Sequence, residues 1–328
     1  MLNIHNQDSQ LKMSYRQPRL SIGLPVYNGD RFLEKALDSI LSQTFTDFEL
    51  IISDNASTDK TQEICQAYAA KDHRIKYYRN DTNIGGHNNF NRVFELATGE
   101  YFKWIAHDDL GANTFLEKCV DVLDRNPEVV LCYPKAKLID ETGQFLDNNC
   151  DEKPLLTNSS KPQVRFHNLI IHSFAKPHRC LQLYGVIRRS ILAKTPLLGN
   201  YPGADKVLLV KLALLGQYYE VPEYLFFNRH HSQRASKALA SPYLRASWLD
   251  PSIKKGKLVF PQWRVFFGYV NSILNTPLTT SEQIHCYLHL CTWLGKYRDA
   301  IVKELIKAAI WPIYFSLHRR SLVTSKQG

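Results

Sequence analysis

YFKWIAHDDL, residues Tyr101 to Leu110, decides how this chain is read. An aromatic, β-prone run ends on two adjacent carboxylates, Asp108 and Asp109. Side-by-side carboxylates repel each other, and neither gains from apolar surroundings. A buried strand that ends this way predicts that something positive meets the pair.

Working outward, the chain alternates strand-like and helix-like segments. RLSIGLPVY (19–27) is an apolar β-rich run closed by the turn signal Asn28-Gly29. With Asp30 as the expected N-cap, Phe32, Leu33, Ala36, Leu37, Ile40 and Leu41 then fall at helical spacing. FELIISD (48–54) reads as a second strand, and the segment from Ser57 to Lys71 as a second helix. RIKYYRN (74–80) is a third strand, and GGHNNFNRVFELAT (85–98) a helix closed by Gly99. After the YFKWIAHDD strand, NTFLEKCVDVLDRNP (113–127) is a helix and EVVLCYPKAKLID (128–140) a fifth strand.

Strands separated by helices argue for an α/β fold with a mainly parallel, Rossmann-like sheet flanked by helices. Right-handed crossovers put the strand C-termini on one edge, where ligands of such sheets bind. Three polar segments then converge: Tyr27-Asn28, Asp54-Asn55 and His107-Asp108-Asp109.

Residues 141–182 show no clear periodicity and are expected as an insertion or long loop over the site. PGADKVLLVKLALLG (202–216) is a strong helix and QYYEVPEYLFFNRHH (217–231) a closing strand. The expected organisation is a lead-in (1–18), disordered by composition, an α/β domain (19–235) with halves at 19–140 and 141–235, and a helical C-terminal region (236–328).

The 328 residues are 44% hydrophobic and 22% charged, which excludes disordered and fibrous classes. Seven scattered cysteines without a C-x-x-C pair suit a reducing cytosol better than a disulfide framework. No secretory leader and no apolar stretch of about 20 residues is present. The net charge of +10 favours anionic partners: a phosphorylated substrate, an anionic membrane surface or nucleic acid. No helix-turn-helix, RNP or zinc-finger pattern supports the last, so no nucleic-acid partner is expected.

Hard divalent cations such as Mg²⁺ or Mn²⁺ prefer carboxylate oxygen and share bound diphosphates. Such a cation would cancel the repulsion within Asp108-Asp109. Asp54 ends a strand at the same edge and can accept from a base or ribose, whereas Asp59 reads as part of a capped turn. No G-x-G-x-x-G follows the first strand, against a nicotinamide-binding domain.

LPVYNGDRFLEKALDSILSQTFTDFELIISDNASTDKT (24–61) and NIGGHNNFNRVFELATGEYFKWIAHDDL (83–110) resemble family 2 glycosyltransferases of the GT-A type. The resemblance covers about residues 19–140. It implies an inverting transfer from a nucleotide-diphospho-sugar, UDP- or dTDP-linked, to a hydroxyl acceptor in polysaccharide or lipid-linked glycan synthesis. Pro25 and Tyr27 would line the nucleobase pocket, and Asp54 would contact the base. Asn83 and Gly85 would lie near the nucleotide, Asp108 at the ribose or metal, and Asp109 on a Mn or Mg ion. Where the family often has a further Asp and an Arg, this chain has Ala106 and Phe90; His87, Arg92 or His107 can compensate.

By the same resemblance Asp205, opening the 202–216 helix, is the general base; read alone it is equally a helix cap. FNRHHSQRAS (227–236) resembles a family segment that makes His230 a metal or phosphate contact, flanked by Arg229 and Arg234. His285 and His289 stand i,i+4, but without an H-E-x-x-H glutamate they read as a helix-surface pair. Lys303, Lys307, Arg319 and Arg320 flank AAIWPIYFSL (308–317), which reads either as a basic amphipathic segment at a membrane or as an ordinary packed helix. The implied location is cytoplasmic, peripheral at the inner membrane face. The alternatives are a nucleotidyltransferase, against which PVYNGD lacks a Gly-rich basic loop, and a non-catalytic nucleotide-sugar-binding relative.

Overall fold

The computed structural model describes residues 17–146, 155–173, 180–232, 242–253 and 258–323. The expected lead-in, apart from its last two residues, and Arg234 lie outside them.

Strand β1 (Leu20–Val26), helix α1 (Asp30–Leu41), β2 (Phe48–Asp54), α2 (Thr61–Lys71), β3 (Ile75–Arg79) and α3 (Gly86–Glu95) open the fold. They are followed by β4 (Tyr101–Trp104), β5 (Leu110–Gly111), α4 (Phe115–Arg125) and β6 (Val129–Ile139). After α5 (Pro162–His167) come β7 (Val186–Arg188), α6 (Arg189–Leu192), α7 (Ala204–Leu215) and β8 (Gln217–Arg229). Helices α8 (Pro242–Leu249), α9 (Pro261–Leu274) and α10 (Thr280–Val323) complete it.

One sheet runs in the order β3-β2-β1-β4-β7-β6-β8-β5. β3, β2, β1 and β4 are parallel, which sets the ends of β1, β2 and β4 on one edge. β7 then joins β4 and β6 antiparallel, β6 and β8 are parallel, and β5 is antiparallel to β8. The sheet is thus mixed beyond β4.

Each face of the sheet carries its own core. On one, Leu20, Ile22 and Leu24 of β1 meet Leu33, Leu37 and Ile40 of α1 and Leu116 and Val120 of α4. On the other, Phe102 and Trp104 of β4 join Val93 of α3, Leu208 and Leu212 of α7, Tyr269 of α9 and Trp293 of α10. The C-terminal helices therefore share a core with the sheet. Gly23 lets α3 lie close, since a Cβ there would meet Val93 Cγ2 at 2.5 Å.

Two expectations change. The 141–182 segment is not simply a loop over the site: Phe166, Leu169 and Ile170 are fully buried in short helical turns. Such turns are too brief to show a period. The strand of YFKWIAHDD stops at Trp104, so the carboxylates sit in the turn between β4 and β5.

Candidate active site

A cleft of about 660 Å³ opens at the C-terminal edge of β1, β2 and β4. Its first wall is the β1–α1 turn, from Pro25 to Phe32. Asn28 takes a left-handed conformation with φ 50°. Its Oδ1 accepts the Thr58 N–H at 2.8 Å, and its own N–H donates to Ser57 Oγ at 2.9 Å. The Asp59 carboxylate accepts the Asp30 and Thr61 N–H groups at 3.1 and 3.0 Å, so it clasps the starts of both helices. Burial pushes this carboxyl up, but the hydrogen bonds from Thr61 and Asp30 outweigh it and hold it below the usual range.

The second wall is a web of asparagines. Asn89 accepts from Ser53 Oγ at 2.7 Å and from Asn80 Nδ2 at 3.1 Å. Asn55 Oδ1 accepts from Asn80 Nδ2 and Ile84 N–H at 3.0 and 2.9 Å, and Asn55 Nδ2 donates to Asn83 Oδ1 at 2.9 Å. Asn55 and Asn89 each both donate and accept, so the web fixes the β3–α3 link without any charge.

The floor answers the question raised by Asp108-Asp109. Asn228 Nδ2 donates to both Asp109 oxygens, at 3.0 and 3.1 Å, and the Arg229 main-chain N–H donates to Oδ1 at 2.8 Å. His231 Nε2 lies 2.8 Å from Asp108 Oδ2, so this nitrogen carries the proton. The Arg229 guanidinium is fully buried; its Nε–H donates to the Asp108 carbonyl at 2.8 Å and Nη1 to the Asp140 carbonyl at 3.0 Å. The end of β8 is therefore what meets the carboxylates.

Pro25, Tyr27, Asn83, Asp108 and Asp109 line the cleft as the sequence suggests, as do Ala106 and Phe90. Four others do not. Asp54 faces β3: its register partner Arg79 donates at 2.5 Å, Tyr77 O–H at 2.8 Å and Ser57 N–H at 2.8 Å, and its side chain is 0% exposed. The residue that reaches the cleft from this strand end is Asn55. Gly85 stands behind the wall with φ 91°, a turn position suited to glycine. His230 continues the β8 ladder through its N–H to the Ile139 carbonyl at 2.7 Å, while His231 enters the cleft. Alternation along an extended chain puts adjacent side chains on opposite sides, so His231 rather than His230 lines the cleft.

Asp205 lies in the first turn of α7, where its Oδ1 accepts the Lys206 N–H at 2.9 Å. Its charge acts on His87, the neighbour in sequence of the cleft residue Gly86. His87 Nδ1–H donates to the Gly199 carbonyl at 2.6 Å. Burial holds the His87 imidazole below its ordinary pKa, opposed by that hydrogen bond and by the Asp205 carboxylate. Sequence reasoning missed Asn89, Asn228, His231 and Trp248 as cleft residues. The asparagine density of residues 80–91 was the one visible signal.

Residues 21–177 match the family model described as Glycosyl transferase family 2. Over these residues, just under half of its length, the chain is similar to that family. The family 2 match holds Pro25 through Asp109, whereas Asp205, Asn228, His231 and Trp248 lie beyond it. An uncharacterized glycosyltransferase of Haemophilus influenzae is 25% identical over 228 residues, 67% of this chain and 68% of that protein. Other curated glycosyltransferase relatives are matched over only 20%, 42% and 48% of their length. In fold, the chain resembles S. aureus TarS 1-349 in complex with UDP-GlcNAc, with a TM-score of 0.59 and 19% identity over 85% of this chain and 72% of that one. It also resembles the mannosyltransferase PcManGT of Pyrobaculum calidifontis in complex with GDP-Man and Mn²⁺, with a TM-score of 0.50 and 17% identity over 92% and 82%.

Among the described residues no three His, Cys, Asp or Glu side chains are grouped to hold an ion unaided. The two adjacent carboxylates supply hard oxygen donors. Beside them, two buried acceptor atoms have no hydrogen-bond partner: Asn228 Oδ1 and His231 Nδ1. This set fits an ion whose shell is completed by diphosphate oxygens and water.

Proposed function

We propose that this protein is an inverting glycosyltransferase that uses a nucleotide-diphospho-sugar, UDP- or dTDP-linked, and a hydroxyl acceptor in polysaccharide or lipid-linked glycan synthesis. The observation that carries the reading is the single cleft walled by Pro25, Tyr27 and Asn83 and floored by Asp108-Asp109. The comparison proteins TarS and PcManGT, crystallised with UDP-GlcNAc and with GDP-Man, support the donor class.

In this reading Tyr27 and Pro25 take the base, Asn55 and Asn83 the ribose side, and Asp108-Asp109 face the diphosphate. Asp54 acts from behind the wall, holding Arg79 and the turn at Ser57. Asp108 and Asp109 would hold a Mn or Mg ion; when bound it neutralises charge on the leaving diphosphate. The acceptor oxygen forms a bond to the anomeric carbon as the carbon–oxygen bond to the diphosphate breaks, its electron pair leaving with the phosphate. Asp205 takes the hydroxyl proton.

The same reading puts the protein at an anionic membrane surface through α10. Among the described residues no helix is long and apolar enough to cross a membrane. Ile284, Leu288, Val302, Leu305, Ile306 and Ile310 of α10 are nonetheless exposed, on a helix that also carries Lys296, Lys303 and Lys307. Apolar side chains beside lysines suit the interface of anionic lipid.

The deciding experiment is a panel of UDP-, dTDP- and GDP-sugars assayed for hydrolysis and transfer with and without Mn²⁺. Turnover of one nucleotide class, with an inverted product, is expected. Turnover of none, together with no binding of UDP, dTDP or GDP, would overturn the reading.

A further inference from the structure

Trp248 belongs to α8, in the C-terminal region and outside the family 2 match, yet it lines the cleft. Its indole lies on the N-terminus of α3. A Cβ on Gly86 would meet two carbons of the six-membered ring at 2.7 Å. One residue earlier, a Cβ on Gly85 would meet the Leu249 carbonyl oxygen at 2.3 Å, and Gly85 also has φ 91°. The Gly85-Gly86 pair is therefore what allows the 248–251 segment to close on α3. The indole is still 39% exposed and shares the cleft with Phe90, Asn83 and the two carboxylates.

An aromatic ring that is buried on one side by backbone and open to a polar cleft on the other is suited to a flat, partly apolar ligand. A pyranose presents a face of C–H bonds made electropositive by its hydroxyl oxygens. The negative face of an indole attracts such a surface, and its N–H adds one polar contact. In the reading above, the nucleobase is taken by Pro25 and Tyr27.

We propose that Trp248 is the platform for the transferred sugar of the donor and selects which sugar is accepted. This rests on the nucleotide-sugar reading of the cleft. It also gives the C-terminal helices a part in the site: α8 packs on α3 and brings the ring, while α9 packs on α7 and α10 on α9.

The test is calorimetric titration of the full chain with UDP, UDP-GlcNAc, GDP and GDP-mannose. For the nucleotide pair that binds, Trp248→Ala is expected to weaken the nucleotide sugar on the order of five- to tenfold while leaving the free diphosphate unchanged. Trp248→Phe keeps a platform and should recover most of the difference. Gly86→Ala leaves the indole in the chain but pushes it off its seat, and should reproduce the selective loss. Equal weakening of sugar nucleotide and diphosphate would assign the ring to the base and overturn the proposal. So would unchanged donor affinity with a raised acceptor KM, which assigns it to the acceptor. If the unaltered protein binds none of the four, dTDP and dTDP-glucose are titrated in the same way, and failure there too overturns the nucleotide-sugar reading and this proposal with it.

Discussion

Arg229 holds Asp108 and Asp109 through two separate atoms: its main-chain N–H donates to Asp109 Oδ1 at 2.8 Å and its Nε–H to the Asp108 carbonyl at 2.8 Å. The turn that presents both carboxylates is thus set from β8, more than a hundred residues away. Arg229→Met removes the guanidinium and leaves the carbonyls of Asp108, Asp140 and Glu141 without that donor. Each buried acceptor left unpaired costs about 1–3 kcal/mol. Urea unfolding is expected to show a loss of about 3 kcal/mol or more; a loss under about 1 kcal/mol would mean the hub carries no weight.

Asp109→Asn keeps the shape of a side chain that is 2% exposed but removes its charge. Transfer is expected to fall on the order of 10²-fold or more, since charge facing the diphosphate is lost. Melting temperature tells this apart from unfolding: a folded protein with unimpaired transfer would sink the assignment.

His230 and His231 separate cleanly by mutation. His231 touches Asp108 and packs against the Phe32 ring at 4.9 Å, whereas His230 serves the sheet through its backbone. His231→Ala should lower transfer at least tenfold, and His230→Ala should change it less than twofold. The reverse order would restore the original expectation for His230.

Asp205→Asn removes a base without removing bulk. Donor affinity is expected to stay near normal while transfer falls on the order of 10²-fold or more. A variant that transfers at the original rate, or a product of retained anomeric configuration, would refute the base role.

Lys103 on β4 sets a pH dependence of stability. Its ammonium is 2% exposed, donates to the Tyr184 carbonyl and lies 3.9 Å above the Phe115 ring. Burial pushes its pKa down to about 7. Below pH 7 the amine is charged in both folded and unfolded chains, and the desolvation penalty is present in full. Above that the folded protein sheds the proton while the unfolded chain keeps it until about 10.4. The unfolded state then binds more protons, so stability from this group rises with pH across that window, at up to ~1.4 kcal/mol per unit. Denaturant midpoints from pH 7 to 10 should climb, and Lys103→Met should flatten the climb; parallel profiles would show that Lys103 is not the cause.

The membrane reading is tested with vesicles of neutral and anionic lipid. Co-sedimentation should require the anionic lipid and weaken with salt. Replacing Leu288, Leu305 and Ile306 by Ser should abolish it, and binding indifferent to lipid charge would count against α10 as the contact.

Local pattern alone determined the alternation of β1 to α4, because apolar spacing within one element reports the face it buries. It also located the strand ends that gather Tyr27, Asn55 and Asp108-Asp109, since parallel strands joined by right-handed crossovers leave no other edge for them. What pairs with those carboxylates was not legible. Asn228, Arg229 and His231 reach them only because β8 lies beside β5, a pairing that spans more than a hundred residues. The same holds for Asp54, which becomes a buried partner of Arg79 through the register of β2 on β3. Whether His230 or His231 faces the cleft depends on one residue of phase at the end of β8. Trp248 gives no local sign at all, because its place depends on two glycines at the start of α3, Gly85 and Gly86, that admit the chain of α8. Sequence pattern reports which face an element buries; only the packed fold decides which distant donor, ring or charge each strand end meets.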